Sequence, residues 1–464
     1  MPYCFPAHAV LSLLKETDQD HTLGAEWEDN AARVYPLLHV KVYQLIMDYL
    51  RVKREHGSNI ERSKYLQMSP TALLTRLLTK RPLTFFNPTD DYLLKPKPAD
   101  DLQLQYEESG SGGFEQIGTD EEHGPYLLDD LMSYDEMAIA ALVGVSVPTH
   151  FINSGGRFNN GVPNPSKNYE RRGIYTGLVG ARFEKPGRME WSHLLVTPEQ
   201  NTPRNGYGGA PPSTSASSSL VERYYLLRAW AQFYGLTHFP TYEEAIEIQR
   251  SDPSSYLTIP VLGNHQGYLL NVPLYCARMR FTIEPFLLDA NERAKQVSRK
   301  AYVHAVGLGL GAWMLDERQG QLMMRAYEEV LAAHELEHIA CIDFSWFPSD
   351  CEGVLPQRAG RQQHIAIRYS RRDPAEQLDH SQHKLLLVAM YAWDANAYAG
   401  NEFWLGLLTA TGDPAAASCS TIALLQNPDV NIERMDGKVA RVFYSDTQES
   451  AQFNQLPRCS EASF

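Results

Sequence analysis

The chain has 464 residues, of which 43% are hydrophobic and 21% are charged, and its formal net charge is −14. This length allows two or three structural units, and no stretch reaches the roughly 18 to 20 apolar residues that a membrane span needs. Because phosphate contacts require clustered Lys and Arg, the acidic charge argues against a nucleic acid polymer as a partner. Six scattered cysteines without a CxxC pair, and a start without a basic leader, predict a cytoplasmic protein.

The first part of the chain is predicted to be helical. Residues 8–80 include the run RVYPLLHVKVYQLIMDYLRVKREH, in which apolar residues recur every three to four positions. We therefore predict an N-terminal helical unit over residues 1–95. Residues 96–125 are acidic and rich in glycine, a composition that cannot bury enough apolar surface to order itself, and they are predicted to be a linker.

Strand and helix patterns alternate over residues 126–440, which are predicted to form one α/β domain. Buried strands are indicated by IACIDFSWF, HIAIRYS and HKLLLVAMYAW, and an amphipathic helix by QLMMRAYEEVLAAHELEH. This alternation predicts a mixed sheet flanked by helices, with ligands beyond the carboxyl ends of its strands. Residues 201–219 are predicted to be a flexible loop within this domain, and residues 441–464 a C-terminal tail.

The segment TGDPAAASCSTIALLQNP, residues 411–428, predicts a capped helix. Asp413 is suited to the N-cap and Pro414 to the first helical position. Together with Thr411 and Gly412, this helix start offers free backbone N–H groups and a positive dipole end, which favour a phosphate or diphosphate. The alternative is a capped helix without a ligand.

The preceding loop, DANAYAGNEFW, places polar side chains directly after an apolar strand. Polar groups at such a position are costly unless they bind each other or a ligand. The carboxylates of Asp394 and Glu402 are candidates for activating a water, Asn396 and Asn401 for holding sugar hydroxyls, and Gly400 for close approach to the backbone. The alternative is a turn rich in Asn and Asp.

A third polar cluster is THFINSGGRFNNG, residues 149–161. The side chains of Phe151, Asn153 and Arg157 form a set that is able to stack on a base and hold a phosphate or a ribose. A long surface turn is the alternative interpretation.

The segment HELEH, residues 334–338, formally matches the HExxH pattern of zinc hydrolases. In that interpretation His334 and His338 bind zinc, Glu335 is the base, and Glu352 or His364 completes the ligand set. The competing interpretation is a core-facing helix end whose two histidines have protein partners, with no metal bound.

Several of these motifs together resemble one family. The motifs are LMSYDEM, THFINSGGRFNNG, VGARFEKPGRMEW, YVHAVGLGLGAW, CIDFSWFP, YAWDANAYAGNEFW and TGDPAAASCSTI, and they resemble the MavL-like family of divergent macrodomain proteins over residues 80 to 435. The resemblance implies a macrodomain-like α/β fold with an N-terminal helical extension. It also implies hydrolysis of ADP-ribose from a modified protein without a cofactor or metal ion, with arginine-linked ADP-ribosyl-ubiquitin as the known substrate of the family.

The resemblance further implies roles for individual residues. The acidic catalytic residues of the family fall on Asp394, Glu402 and Asp413, and Glu402 is one methylene longer than the aspartate that the family pattern implies. Adenine would stack on Phe151, and Asp343 is either an adenine partner or a strand-end cap. Carboxylates suit this chemistry because cleavage of the ribosyl bond passes through an oxocarbenium-like state. A reader that binds ADP-ribose without turnover is the alternative function.

Overall fold

The computed structural model describes residues 21–95, 108–166, 168–261, 264–379, 382, 384–408, 412–444 and 450–456. The helices of this part of the chain are α1 His21–Ala32, α2 Val40–His56, α3 Asn59–Tyr65, α4 Pro70–Thr79, α5 Tyr134–Ala140, α6 Glu190–Leu194, α7 Ser218–Phe233, α8 Tyr242–Ser251, α9 Val272–Gln296, α10 Gln319–Ala333, α11 Gly412–Cys419 and α12 Ile422–Leu425. The strands are β1 Tyr35–His39, β2 Thr84–Phe86, β3 Asp91–Leu93, β4 Ser109–Ser111, β5 Val143–His150, β6 Arg172–Leu178, β7 Leu195–Val196, β8 Tyr256–Val261, β9 Asn264–Asn271, β10 Ala301–Ala305, β11 Ile339–Ser345, β12 Arg358–Ala359, β13 Ile365–Ser370, β14 Leu386–Ala392, β15 Arg441–Phe443 and β16 Ser450–Gln452.

A ten-stranded sheet organises the molecule, in the order β12-β13-β11-β10-β14-β6-β5-β1-β15-β16. Strands β13, β11, β10, β14 and β6 run parallel to one another, whereas β5 opposes both β6 and β1. The central strands are rich in Val, Ile, Leu and Tyr because both faces of the sheet are covered. The predicted α/β class, a mixed sheet flanked by helices, is confirmed.

The prediction that residues 8–80 are helical is wrong at β1. Tyr35–His39 is buried along its whole length and pairs with β5 on one side and β15 on the other. Pairing on both sides satisfies the backbone of this segment, which outweighs its helical apolar spacing. The boundary near residue 95 between two units stays a prediction, although one strand of the predicted helical unit belongs to the main sheet.

Buried Lys53 ties the helices at this end of the molecule together. Its ammonium group lies 2.5 Å from Glu61 of α3, 2.8 Å from Asp135 of α5 and 2.6 Å from Glu222 of α7. Only 1% of the Lys53 side chain is exposed. Since the three carboxylates come from distant parts of the chain, α2 packs with α3, α5 and α7 as one body.

Three other predicted segments are more structured than their composition indicates. The described part of the predicted linker contains β4 and the buried side chain of Phe114, while residues 96–107 lie outside the described residues. In the predicted loop 201–219, Tyr207 is buried and its hydroxyl donates to the Ser192 carbonyl. The predicted tail supplies β15 and β16 to the main sheet.

The HELEH segment does not adopt the geometry of a zinc site. Helix α10 ends at Ala333, so His334 and His338 do not share a helix face. His334 is buried with its Nε2 2.6 Å from Glu284, whereas Nδ1 of His338 faces the carbonyl of Arg299. Both histidines have protein partners, as the second interpretation predicts, because the chain turns immediately into β11.

No helix among the described residues combines the length and the apolar character needed to cross a membrane. The cytoplasmic location stays a prediction.

Candidate functional site

The loop after β14 folds around the side chain of Asp394. One carboxylate oxygen, Oδ1, accepts hydrogen bonds from the backbone N–H groups of Asn396 at 2.8 Å and Ala397 at 3.2 Å. The other, Oδ2, accepts from the Asn401 amide at 2.7 Å. Asp394 is buried. An aspartate that begins a turn commonly accepts N–H groups two and three residues later, so the local sequence itself sets this arrangement.

Asn401 connects the loop to β2 and does not face an open cavity. Its side-chain amide accepts from the N–H of Phe85 at 2.9 Å and donates to the carbonyl of Phe85 at 3.0 Å. The residue before it, Gly400, has a φ of +102°, which only glycine adopts without strain. This conformation points the Gly400 N–H at Asp413, 2.8 Å from Oδ1.

Asp413 lies in the first turn of α11, which begins at Gly412, one residue before the predicted cap. Its carboxylate therefore binds the loop through Gly400 and not the N–H groups of its own helix. The second oxygen, Oδ2, is buried and has no hydrogen-bond partner in the part of the chain that the structure describes. A buried carboxylate oxygen without a donor is costly and indicates a place for a water or a ligand hydroxyl.

The three acidic residues of the site influence one another electrostatically. Burial, the charge of Asp394 and the charge of Glu402 raise the pKa of Asp413 well above its usual range, although the Gly400 N–H opposes this shift. Burial also raises the pKa of Asp394 to about 6, while its two backbone donors and the charges of Arg182 and Arg81 limit the rise. Both carboxyl groups therefore hold a proton more tightly than an exposed aspartate does.

Two buried arginines that were not predicted as site residues support the Asp394 loop. Arg182 donates to the Asn396 side-chain oxygen at 2.7 Å and to the Asp394 carbonyl at 3.2 Å. The guanidinium of Arg81 lies 4.5 Å from the centre of the Trp393 ring, and burial lowers its pKa to about 9. Nη2 of Arg81 is also buried and has no partner among the described residues. A donor on Arg81 and an acceptor on Asp413 are therefore both unsatisfied.

Neither arginine has a spacing pattern that marks it in the sequence. Arg182 lies in VGARFEKPGRMEW, a motif that carries the resemblance, and its partner Glu190 lies in the same motif. Arg81 stands next to Pro82 in a segment without a recognisable motif.

The polar loop 149–161 is fastened to α11. The Asn159 amide donates to the carbonyl of Ala415 at 3.0 Å and accepts from the Ser418 hydroxyl at 2.9 Å. Asn153 shapes this loop internally by donating to the Val162 carbonyl at 3.0 Å. Arg157 is exposed. The structure therefore brings the loop 149–161 and the start of α11 together, as binding to one ligand requires.

The remaining predicted ligand-binding residues differ in their surroundings. Phe151 is 2% exposed, and its ring packs against Tyr175 with 5.2 Å between centroids. Asp343 is buried in β11, where Oδ2 accepts from the Tyr302 hydroxyl at 2.5 Å and Oδ1 has no partner among the described residues. Thr411 lies outside the described residues, and the adjacent Gly412 is exposed at the start of α11.

Comparison with known proteins finds clear similarity over most of the chain. A family profile described as "ADP-ribosylhydrolase MavL-like" matches residues 2–449. The Drosophila melanogaster protein named ADP-ribosylarginine hydrolase CG3568 is 35% identical over 418 residues, which cover 88% of this chain and 78% of that protein. Another Drosophila melanogaster protein, ADP-ribosylarginine hydrolase CG2909, is 34% identical over 443 residues, which cover 93% of this chain and 83% of that protein.

Proposed function

Because the chain belongs to the MavL-like family of ADP-ribosylhydrolases, we propose that its carboxylate site releases ADP-ribose from modified arginine side chains of proteins. The similar fly proteins bear the name ADP-ribosylarginine hydrolase, which supports this choice of linkage. The observation that carries the proposal is the buried Oδ2 of Asp413, which has no partner within the described ranges and whose carboxyl group is influenced by the charges of Asp394 and Glu402.

The reaction breaks the bond between C1″ of the distal ribose and a guanidinium nitrogen. The bonding electrons leave with the nitrogen, the sugar carbon becomes oxocarbenium-like, and water supplies the oxygen of the new hydroxyl group. The water loses one proton, and the departing guanidine gains one. A site for this reaction needs negative charge near C1″ and groups that donate and accept protons.

Asp394 is suited to supply the negative charge. Its oxygens accept three hydrogen bonds from the protein, which fix its position and leave little capacity for carrying a proton between groups. Burial and the charges of Asp394 and Glu402 raise the pKa of Asp413, and its Oδ2 has no partner among the described residues, so Asp413 is suited to orient the ribose or to protonate the departing nitrogen. Half-buried Glu402 is the proposed acceptor of the proton from water.

The strand order supports a direction for the ligand. Strand β10 separates β14 from β11, so the ends of β14 and β11 lie roughly 10 Å apart. With the distal ribose at Asp394 and the diphosphate near Thr411 and Gly412, the adenine would extend towards Asp343. The exposed ring of Trp346, which directly follows β11, is an additional candidate for stacking on adenine, since Phe151 is packed against Tyr175.

The test uses an arginine-ADP-ribosylated protein and measures released ADP-ribose by chromatography. We expect Asp394→Asn and Asp413→Asn each to reduce kcat/KM by at least about 100-fold, the usual scale for removing an acid–base group. Calorimetric titration with ADP-ribose should show that binding stays within about tenfold of the unmodified protein. Glu247→Gln, on the exposed side of α8, is the control and should leave both measurements unchanged.

The same experiment separates the hydrolase from the reader. Release of no ADP-ribose by the unmodified protein, together with intact ADP-ribose binding, would favour the reader and contradict the hydrolase. The protein that carries the modified arginine is a finer question. The resemblance implies ubiquitin, and a comparison of kcat/KM for arginine-modified ubiquitin and another arginine-modified protein tests that preference.

A further inference from the structure

A second polar cavity lies where the start of β1 meets the end of α9 and the strands β15 and β16. Its volume is about 160 Å³. Four of its nine lining residues are arginines and none is acidic, although the chain has 42 basic and 56 acidic residues. The arginines are Arg33, Arg293, Arg434 and Arg441.

Tyr35 holds two of these arginines in place. The guanidinium of Arg293 lies 4.2 Å from the centre of the Tyr35 ring, and that of Arg441 lies 4.0 Å from it. Flat guanidinium groups stack well on aromatic rings, and stacking leaves their N–H edges available for other partners. The cavity wall is therefore partly organised before any ligand binds.

Three of the four arginines have a carboxylate partner. Arg33 pairs with Asp29 at 2.6 Å and Arg441 with Glu292 at 2.6 Å. Nε of Arg293 lies 3.6 Å from Asp289. Asp289 also accepts hydrogen bonds from Tyr35 and Ser146, so its charge is shared among several donors.

Two arginines keep donors to spare. The side chain of Arg434 contacts no hydrogen-bond acceptor in the described part of the chain. Nε of Arg293 donates to the Ser146 hydroxyl, and Nη2 donates to the carbonyls of Arg33 and Ser146. Nη1 of Arg293 donates to no described residue. An excess of oriented N–H donors without acceptors is the complement of an anion rich in oxygen.

The cavity is remote from the carboxylate site. Pairing across β5, β6 and β14 places Tyr35 level with Met390, four residues before Asp394. The two sites are three strands apart as well, so the spacing of strands and residues separates them by about 20 Å. A single phosphate group is therefore too small to contact both the arginine cavity and the carboxylate site.

We propose that this arginine cavity binds a phosphate or diphosphate group as a second anion site, separate from the catalytic carboxylates. The volume suits a small anion, since one water in liquid occupies about 30 Å³. Arginine forks bind phosphate oxygens in pairs, and such geometry discriminates phosphate from a simple halide. The ligand is either a free inorganic anion or the phosphoryl group of a nucleotide.

The test is calorimetric titration of the full chain with inorganic pyrophosphate and, separately, with AMP. We expect saturable binding of at least one of them with a Kd of about 1 mM or tighter. Binding of pyrophosphate alone assigns the site to free anions, whereas binding of AMP assigns it to nucleotide phosphates. Failure of both to bind would overturn the proposal.

Matched variants locate the binding. Arg434→Gln should weaken it at least about tenfold, and the double variant Arg434→Gln/Arg441→Gln should abolish it. Arg250→Gln, which removes an exposed arginine of α8, should leave it unchanged. Binding that survives the double variant would assign the anion to another site and refute the proposal.

Folding is controlled independently of binding. Arg434 has no side-chain partner to lose, so the melting temperature of Arg434→Gln should match that of the unmodified protein. This outcome is independent of the hydrolase proposal, because the catalytic test measures ADP-ribose release and this one measures anion binding at a distant cavity.

Discussion

Asp394 and Asp413 are both buried, and the charge of Asp394 makes the ionisation of Asp413 harder. Burial raises the pKa of both groups, which is a cost that a structural carboxylate seldom bears without an arginine partner in direct contact. Two neighbouring carboxyl groups in different environments are suited to different roles in a single reaction.

The pH dependence of turnover follows from the pKa of Asp394, which burial raises to about 6. We predict that kcat/KM rises about tenfold per pH unit below 6 and levels off above it, because the anion is the active form. A pH series of ADP-ribose release from about pH 4.5 to 8 measures this. A midpoint near 4, the ordinary aspartate value, would contradict the role of Asp394.

The raised pKa of Asp394 affects stability in the opposite direction, because its contribution to stability decreases as the pH rises. Since the folded-state pKa is raised above the unfolded value, the native state binds the Asp394 proton more tightly than the unfolded chain. This contribution to stability is fully present below about pH 4 and is lost as the pH rises through 6. The ionised form of Asp394, which is the predicted active form, therefore stabilises the fold less than the protonated form.

At the scale of elements, the site depends on how a loop is joined to a helix. The loop after β14 is joined to α11 by hydrogen bonds from the Gly400 N–H to Asp413 and from the Ser418 hydroxyl to the Leu408 carbonyl. Gly400 is also in close contact with the helix, because a Cβ built on it would lie 2.8 Å from the Cβ of Ala417. The backbone conformation of Gly400 therefore helps to position Asp413, a candidate catalytic residue on α11.

We predict that Gly400→Ala destabilises the protein by about 2 kcal/mol and lowers kcat/KM more than tenfold. The left-handed φ and the contact with Ala417 both oppose a side chain here. Chemical denaturation and the release assay measure the two effects. Gly311→Ala is the matched control, since a Cβ there meets nothing within 4 Å. Equal behaviour of the two variants would refute the joining role of Gly400.

At the scale of the whole molecule, segments far apart in sequence are joined in one body. Strand β1 lies between β5 and β15, so the beginning, middle and end of the chain meet in one sheet. The Lys53 cluster adds charge-based contacts among α2, α3, α5 and α7. Burial of Glu61 in this cluster raises its pKa to about 8, although the charge of Lys53 opposes the shift.

We predict that Lys53→Met destabilises the whole chain by about 3 to 5 kcal/mol, because it leaves the buried carboxylate of Glu61 without its cation. Denaturant unfolding followed by fluorescence and circular dichroism should show one shifted transition. Lys438→Met removes a lysine that is 73% exposed and pairs with Asp436 at 3.7 Å, and its effect should stay within about 0.5 kcal/mol. Separate transitions in Lys53→Met would support the predicted boundary near residue 95.

Local sequence determined those features that depend on neighbours in the chain. The mixed α/β class followed from alternating periodicities, and the loop 394–404 was marked by polar residues directly after an apolar strand. The family followed from a run of motifs, and the profile match over residues 2–449 confirms it. Each of these depends on spacing and residue type within a short window.

Only the tertiary structure decided which distant groups meet. Strand β1 was predicted as helix because its second partner, β15, lies 400 residues further along. Local patterns likewise do not indicate that Arg81 and Arg182 are buried near the site. They also do not indicate that Oδ2 of Asp413 has no partner among the described residues. Burial, hydrogen-bond satisfaction and pKa depend on atoms that folding brings together. A single sequence determines these properties, but its local patterns do not reveal them.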